Sequence, residues 1–258
     1  MFRPRVIPIL LLKGLGLVKS IKFKDYRYIG DPINAVKIFN DLRADELVFL
    51  DIMASKQKRT ISLEFVRKVG DEANMPFAVG GGLRTIQDIR NVISAGAEKA
   101  IINSYAIENP TFIKQASDVF GSSTIVVSID VKKKYMGKKH IYIFGGSKPT
   151  GLDPVSFAKL METNGAGEII INSIDKDGMM SGYDFDLIRE VSKEVTIPVV
   201  AAGGASNDDD FNKAINESYA SAVAAGSRFV YHGARNAVLV NYPSVEELKM
   251  IFKNEDFI

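Results

Sequence analysis

The chain repeats its own pattern of segments at an interval of 122 residues, and this repeat restricts the folds available to it. Each repeat contains a charged residue before an apolar run, then a glycine-rich turn, then a turn of small residues. The corresponding positions are 46 and 168, 82 and 204, and 104 and 226. Three coincident intervals indicate two half-domains of one design rather than a chance similarity.

Strand-like apolar segments alternate with helix-like segments eight times along the 258 residues. This alternation, with no linker between the halves, predicts one (β/α)₈ TIM barrel, a fold that typically needs about 250 residues. The half-barrels would span about residues 1–122 and 123–258. A doubly wound open sheet is the alternative, but the repeat favours closure. The predicted strands are 5–12, 46–51, 76–79, 99–103, 124–130, 168–173, 198–202 and 220–225. Residues 13–31 read as a loop, and residues 132–144 as a hairpin.

The amino-acid composition excludes several classes of function. The formal net charge is +2, too small to indicate nucleic acid or an anionic membrane as a partner. The absence of cysteine excludes disulfides, thiol catalysis and cysteine-based metal sites, and two histidines are too few for a histidine-rich metal site. No apolar run reaches the roughly 20 residues of a membrane span. We expect a cytoplasmic protein without a metal or cofactor.

Asp130 is the best candidate for a catalytic carboxylate. It ends the apolar segment 124–130, and the carboxyl ends of barrel strands carry function in TIM barrels. Apolar surroundings can raise the pKa of such an acid and fit it for proton transfer. It could instead only cap the strand or pair with Lys132. Its counterpart in the first half lies within residues 8–12, where no side chain can carry a proton.

Two sets of small residues predict a phosphate-binding site in each half. Backbone amides approach an anion closely where side chains are absent, and a helix N-terminus adds a favourable dipole. The alternative is that these glycines only make tight turns. The paired occurrence favours a ligand with a phosphate at each end. The residues are Gly81, Gly82 and Ser104 in the first half, and Gly203, Gly204, Gly226 and Ser227 in the second.

Four charged residues stand at the opposite ends of the strands. Glu46, Lys99 and Glu168 begin strands two, four and six, and Arg5 begins strand one. Buried charge in a barrel is costly unless it is paired, so this pattern requires an explanation. From the residues alone, a salt-bridged plug of the barrel floor is the simpler interpretation, and a polar gate around an axial passage is the other.

Over nearly its whole length the chain resembles the cyclase subunit of imidazole glycerol phosphate synthase. Segments 45–55, 77–82, 166–170, 173–178 and 181–184 carry the resemblance. It implies a half-barrel-duplicated TIM barrel with a glutaminase docked on its N-terminal face and ammonia passing through it, so the four floor charges become gate residues. It also implies a phosphorylated small-molecule ligand. The implied binding positions are Lys19, Gly82, Asn103, Ser104, Asp177, Gly178, Gly204 and Gly226.

The departures from that family concentrate at the chemistry. The family uses two aspartates, and the first aligns with Leu11, so only Asp130 remains. Asn172 and Ala202 replace hydroxyl side chains, and the first loop, residues 13–17, is more apolar. The pattern resembles paralogues that work with a glutaminase and a sugar amidotransferase to install acetamidino groups on O-antigen or nonulosonic acids. A working histidine-pathway cyclase and a phosphate-binding scaffold without ammonia transfer are the alternatives.

Overall fold

Eight parallel strands close into a barrel in the computed structural model, which describes residues 3–134, 137–233 and 235–252. Pairing runs in the order β1-β4-β5-β6-β7-β10-β11-β12 and returns to β1. This confirms the predicted TIM barrel. The barrel strands are β1 (Arg5–Lys13), β4 (Leu47–Asp51), β5 (Phe77–Gly80), β6 (Lys99–Ile102), β7 (Ile125–Lys133), β10 (Glu168–Ser173), β11 (Val199–Ala202) and β12 (Ala222–Ala225).

Helices follow the strands and form the outer layer. Asp31 and Asp153 cap helices that begin at Pro32 and Pro154, because the carboxylate accepts a backbone N–H and proline suits the first helical position. The helices are α1 (Pro32–Asp41), α2 (Leu63–Glu72), α3 (Ile86–Ser94), α4 (Ser104–Glu108), α5 (Thr111–Phe120), α6 (Pro154–Thr163), α7 (Phe185–Ser192), α8 (Asp208–Asn216) and α9 (Val245–Phe252). The short α4 is an addition to the predicted elements.

Two apolar layers hold the barrel together. The larger lies between strands and helices and contains most of the buried aromatic side chains, such as Phe39, Phe49 and Phe211. The smaller fills the barrel interior with aliphatic side chains, such as Ile101, Val126 and Ala222. Burial on both faces explains why the strands read as continuous apolar runs. The division into half-barrels near residue 122 remains a prediction, since β6–β7 and β12–β1 pair as the other strands do.

The first predicted loop is instead a sheet extension, which corrects the prediction for residues 13–31. After a tight turn, β2 (Gly16–Ile21) pairs antiparallel with the end of β1. β3 (Lys24–Gly30) pairs antiparallel with β2. Glycines at 14, 16 and 30 suggested a loop, but Gly14 serves the turn, with φ of +65°. We call residues 13–30 the first hairpin.

The second half carries a corresponding extension, and here the prediction is confirmed. β8 (Lys139–Ile143) pairs antiparallel with the end of β7, and β9 (Lys148–Pro149) pairs antiparallel with β8. The predicted hairpin at 132–144 includes residues 135 and 136, which lie outside the described residues. We call residues 131–149 the second hairpin. The remaining strands, β13 (Tyr231–His232) and β14 (Ala237–Val238), form a separate small ribbon. None of the helices in the described part of the chain could cross a membrane.

Candidate active site

A cavity of about 160 Å³ opens at the carboxyl ends of the barrel strands. All the residues predicted for the upper site line this one cavity, so the structure brings the two halves of the prediction together. They are Leu11, Lys19, Gly81, Gly82, Asn103, Ser104, Asp130, Asn172, Asp177, Gly178, Gly203, Gly204, Gly226 and Ser227.

Asp130 lies buried in the cavity wall between two amide side chains. Asn172 Nδ2 donates to one carboxylate oxygen at 3.0 Å, and Asn103 Nδ2 donates to the other at 3.1 Å. Burial raises the pKa of Asp130 to about 7, against the lowering effect of these hydrogen bonds. A carboxyl group with a pKa near neutrality can donate or accept a proton under ordinary conditions.

Leu11 occupies the position in the first half that Asp130 occupies in the second. In the strand register Leu11 pairs with Leu50, while Asp130 pairs with Asn172. Leu50 and Asn172 are themselves 122 residues apart, so the two pairs are equivalent in the repeat. Leu11 and Leu50 therefore form an apolar wall of the cavity, whereas Asp130 and Asn172 form a polar wall.

Two further carboxylates line the cavity, and both have close partners. Asp51 accepts hydrogen bonds from the Arg59 guanidinium at 2.5 Å and 3.3 Å, and from the backbone N–H groups of Met53 and Ala54. Asp177 accepts from Ser20 Oγ at 2.8 Å, and burial raises its pKa. Arg59 and Ser20 were missed from the sequence, because only the fold brings the first hairpin and the loop after β4 to these acids.

Lys19 is the buried cation of the cavity. Its Nζ donates to the backbone carbonyl of Ile9 at 2.7 Å and lies against Gly226. Burial lowers the pKa of Lys19 to about 8, and the charge of Asp177 opposes this effect. An ammonium group beside the second glycine set is suited to an anionic ligand.

The glycines of both predicted phosphate sites permit close packing of loops. A Cβ at Gly82 would lie 1.9 Å from the carbonyl oxygen of Arg59, and one at Gly204 would lie 2.4 Å from that of Gly182. The side on which a side chain would project is thus filled by protein. This packing explains the glycines without a ligand, so anion binding by their backbone amides remains a prediction.

Asn103 and Ser104 are fixed by hydrogen bonds. Asn103 donates to the carbonyl of Ser128 at 2.8 Å, besides Asp130, and its own Oδ1 accepts from Ser104 Oγ. Ser104 Oγ also accepts from the backbone N–H of Phe144, in the second hairpin, at 3.0 Å. The second hairpin is thereby tied to the cavity rim.

The four charged residues at the barrel floor form a closed ring of ion pairs. Arg5 contacts Glu46 and Glu168, and Lys99 Nζ lies 3.1 Å from Glu46 and 3.0 Å from Glu168. Both glutamates are buried, and the ring has no net charge. Burial alone would lower the pKa of Arg5, but the two carboxylates raise it above its ordinary value, so the guanidinium keeps its charge.

A second, narrow cavity lies between this ring and the upper cavity. Glu46 and Glu168 line it below, and the two cavities share Ile101, Ile170 and Ala224 as lining residues. Its described lining residues leave no volume for a water-sized sphere. The barrel axis thus carries a narrow apolar segment between two polar ends.

Among the residues that the structure describes, no group of three or more His, Cys, Asp or Glu side chains is placed to hold a metal ion.

Asp175, another acid at the strand ends, accepts a hydrogen bond from the backbone N–H of Lys133 at 2.8 Å. Its carboxylate therefore helps to position the second hairpin.

The structure is therefore a TIM barrel whose upper cavity is lined by three carboxylates, Asp51, Asp130 and Asp177, and by turns of small residues. Comparison with known proteins gives the family. The family described as "Histidine biosynthesis protein" matches residues 5–235, and this chain belongs to it.

Three relatives are similar over most of the chain. A Leptospira interrogans protein named "Putative imidazole glycerol phosphate synthase subunit HisF" is 42% identical over 98% of this chain and 100% of its own length. A Pseudomonas aeruginosa protein, named as subunit hisF2 of the same synthase with the same qualifier, is 42% identical over 96% and 99%. The imidazole glycerol phosphate synthase subunit HisF of Alkaliphilus metalliredigens is 42% identical over 90% and 92%.

Proposed function

We propose that this chain is the barrel subunit of a glutamine-dependent synthase and does not itself close an imidazole ring. A glutaminase subunit docks at the floor of the barrel and releases ammonia there. The ammonia moves along the barrel axis, past Lys99, into the upper cavity. It is then used for acetamidino modification of a surface sugar, in O-antigen or a nonulosonic acid.

The pair of leucines at Leu11 and Leu50 is the observation that carries this proposal. The cyclisation expected from the family resemblance uses two opposed aspartates, and here Leu11 stands at the position of the first of them, so Asp130 has no acidic counterpart there. The other acids in the cavity, Asp51 and Asp177, are held by Arg59 and Ser20. Loss of one proton-transfer group typically lowers a rate by about 10²–10⁴-fold. Ammonia transfer alone needs no second acid.

The floor ring and the axial cavity support the ammonia route. A neutral ring of four ion-paired side chains closes the floor, and exchange of its ion pairs could open a path. Above it, the apolar segment favours a neutral molecule over an ion, because charge is costly to bury without a partner. Since this segment has no room for a water-sized sphere, passage of ammonia requires movement of side chains.

A working cyclase of histidine biosynthesis is the second candidate. Asp130, with a pKa raised to about 7, and the buried Lys19, with a pKa lowered to about 8, could share proton transfer. Both line the same cavity as the predicted phosphate-binding residues.

Turnover by the reconstituted pair separates the two candidates. The purified chain is mixed with its glutaminase, and glutamine hydrolysis and formation of imidazole glycerol phosphate are measured. We expect stimulated glutamine hydrolysis with negligible ring formation, and no growth of a cyclase-deficient strain that expresses the chain well. Appreciable ring formation would establish the cyclase. Absence of any effect on glutamine hydrolysis would leave only a phosphate-binding scaffold.

The sugar assignment requires its own measurement. Glutamine labelled with ¹⁵N in the side-chain amide is supplied to the pair together with a sugar amidotransferase, ATP and an N-acetylated acceptor sugar. We expect ¹⁵N in an amidine group of the product, read by mass spectrometry. Label that remains in free ammonium would contradict acetamidino transfer.

A further inference from the structure

The first hairpin exposes large apolar side chains that the proposed ammonia route does not use. Leu15, at the tip of the turn between β1 and β2, is 95% exposed, and Tyr28 and Ile21 are 66% and 48% exposed. Met179, which follows the Gly178 that contacts Ile21, is also exposed. Single exposed apolar residues are ordinary, but several on one hairpin indicate an interaction surface.

The hairpin that carries these side chains is anchored at two points. The Tyr28 ring packs on Gly16, where an added Cβ would lie only 2.5 Å from a ring carbon. At the other end of the hairpin, the backbone N–H of Lys22 donates to the carbonyl of Asp177 at 2.9 Å. A surface ordered before binding loses less entropy when a partner docks.

Basic residues are concentrated on the two hairpins. The first hairpin contains five basic residues and one acid, and the second contains six lysines and no acid. Together the hairpins carry a charge of +10, so the remaining residues carry −8 against a total of +2. Most of these basic side chains are exposed. They are Lys13, Lys22, Lys24, Arg27, Lys133, Lys134, Lys138 and Lys148.

The two hairpins meet beside the upper cavity, and we call them together the rim. Gly146 of the second hairpin is so close to Phe23 of the first that an added Cβ would lie 3.0 Å from the ring. Phe23 and Gly145 both line the cavity.

We propose that this rim is the docking surface for the enzyme that consumes the ammonia, through an acidic face that accepts Leu15 and Tyr28. The inference rests on the proposed function and adds the partner at the upper face. Lysines alone could serve to attract a small anionic substrate. An exposed leucine at a hairpin tip contributes nothing to that role, and it suits an apolar pocket surrounded by charge.

Site-specific photocrosslinking tests the location. A photoreactive amino acid replaces Leu15 in the full chain, expressed with its glutaminase in the source cells, and Leu160 on α6, which is 42% exposed, is replaced as control. Mass spectrometry should identify an ATP-dependent amide- or amidine-forming enzyme crosslinked at position 15 and absent at position 160. No product above the control, or products with only nucleic acid, lipid or the glutaminase, would overturn the proposal.

Binding of that enzyme, once purified, provides the second test. The doubly substituted chain with Leu15→Ser and Tyr28→Ser should bind it at least tenfold more weakly than the parent chain, and the parent affinity should fall as salt is raised. Leu160→Ser should leave the affinity unchanged. Equal binding by the double variant would overturn the proposal.

Transfer assays separate this inference from the proposed function. In the double variant, glutamine-driven transfer should fall at least tenfold, while transfer from added ammonium salt and stimulation of the glutaminase stay unchanged. Normal glutamine-driven transfer by the variant overturns the docking surface and leaves the ammonia route intact. If the parent chain itself supports no glutamine-driven transfer, the proposed function has failed, and the docking surface fails with it.

Discussion

The two predicted half-barrels pair their strands in the same way and differ in the side chains they present to the upper cavity. Leu11 and Leu50 pair in the first half where Asp130 and Asn172 pair in the second. Strand register depends on backbone hydrogen bonds and on apolar faces that both halves keep. The comparison therefore shows that the groups available for proton transfer differ at one pair of equivalent positions while the strand pairing stays the same.

The floor of the barrel shows the opposite behaviour. Each half contributes one glutamate, Glu46 or Glu168, and both contact Arg5 and Lys99. Equivalent residues thus do equivalent work at the floor, whereas at the top they do not. This contrast agrees with a subunit that keeps its connection to a partner below and has changed its chemistry above.

The largest expected effect tests the floor. Lys99→Met leaves two buried glutamates with Arg5 as their cation, which should lower the free energy of unfolding by about 3–5 kcal/mol in urea denaturation. Glu46→Gln and Glu168→Gln should cost similar amounts if the halves are equivalent there. Lys159→Met, which removes an exposed pair with Glu194, is the control and should change nothing measurable. Wild-type stability in Lys99→Met would show that the ring is not a structural unit.

The next effect tests the polar wall of the cavity through pH. The pKa of Asp130 is raised by burial from 3.8 to about 7, so the folded state binds the proton more tightly than the unfolded state. Its contribution to stability is complete below pH 3.8 and is lost as pH rises towards 7. The Asp130→Asn variant does not suffer this loss. At about 1.4 kcal/mol per pKa unit, the loss in the wild type is at most roughly 4 kcal/mol.

Thermal unfolding from pH 4 to pH 9 checks this prediction. The stability of Asp130→Asn relative to wild type should rise between pH 4 and pH 7 and then become constant. A difference independent of pH would mean that the buried carboxyl group does not titrate in this range.

A smaller effect tests the apolar wall. Leu11→Asp places a second carboxyl group in the cavity, and we expect a loss of about 2–3 kcal/mol at pH 8. The loss should be smaller at pH 5, where the new group can take up a proton. Leu11→Asn is the matched control, because it introduces similar polarity without charge, and urea denaturation at both pH values compares them. Identical results for the two variants would show that the wall is open to water.

The smallest effect concerns the attachment of the first hairpin. Ser20→Ala removes the 2.8 Å hydrogen bond to Asp177, which should make opening of this hairpin easier by about 1–2 kcal/mol. Hydrogen exchange of the backbone amides in β2 and β3 measures this opening. Ser156→Ala, on the exposed side of α6, should leave their exchange unchanged. Unchanged exchange in Ser20→Ala would place the attachment elsewhere.

The barrel and the floor ring were predictable from the sequence because both depend on regular spacing. Eight apolar segments with intervening helices define the barrel, and charges at strand starts converge on one layer, as Glu46 and Lys99 do. Asp130 was found in the same way, by its place at a strand end. In each case the position along a strand fixes the position in space.

Contacts between distant loops could not be predicted in this way. Arg59 was missed because its pairing with Asp51 depends on the path of an irregular loop. The first hairpin was read as a loop because its glycines obscured the strands, although Gly16 is placed to receive Tyr28. The roles of residues without periodic spacing depend on the partners that the fold places beside them.

Ala224 lines both cavities, and its carbonyl accepts a hydrogen bond from the Tyr183 hydroxyl at 3.0 Å. Its side chain is a single methyl group at the waist of the barrel. A bulkier residue there would obstruct the waist and leave both ends of the barrel unchanged. Under the proposed ammonia route, such a barrel would bind its partners and yet separate the release of nitrogen from its use.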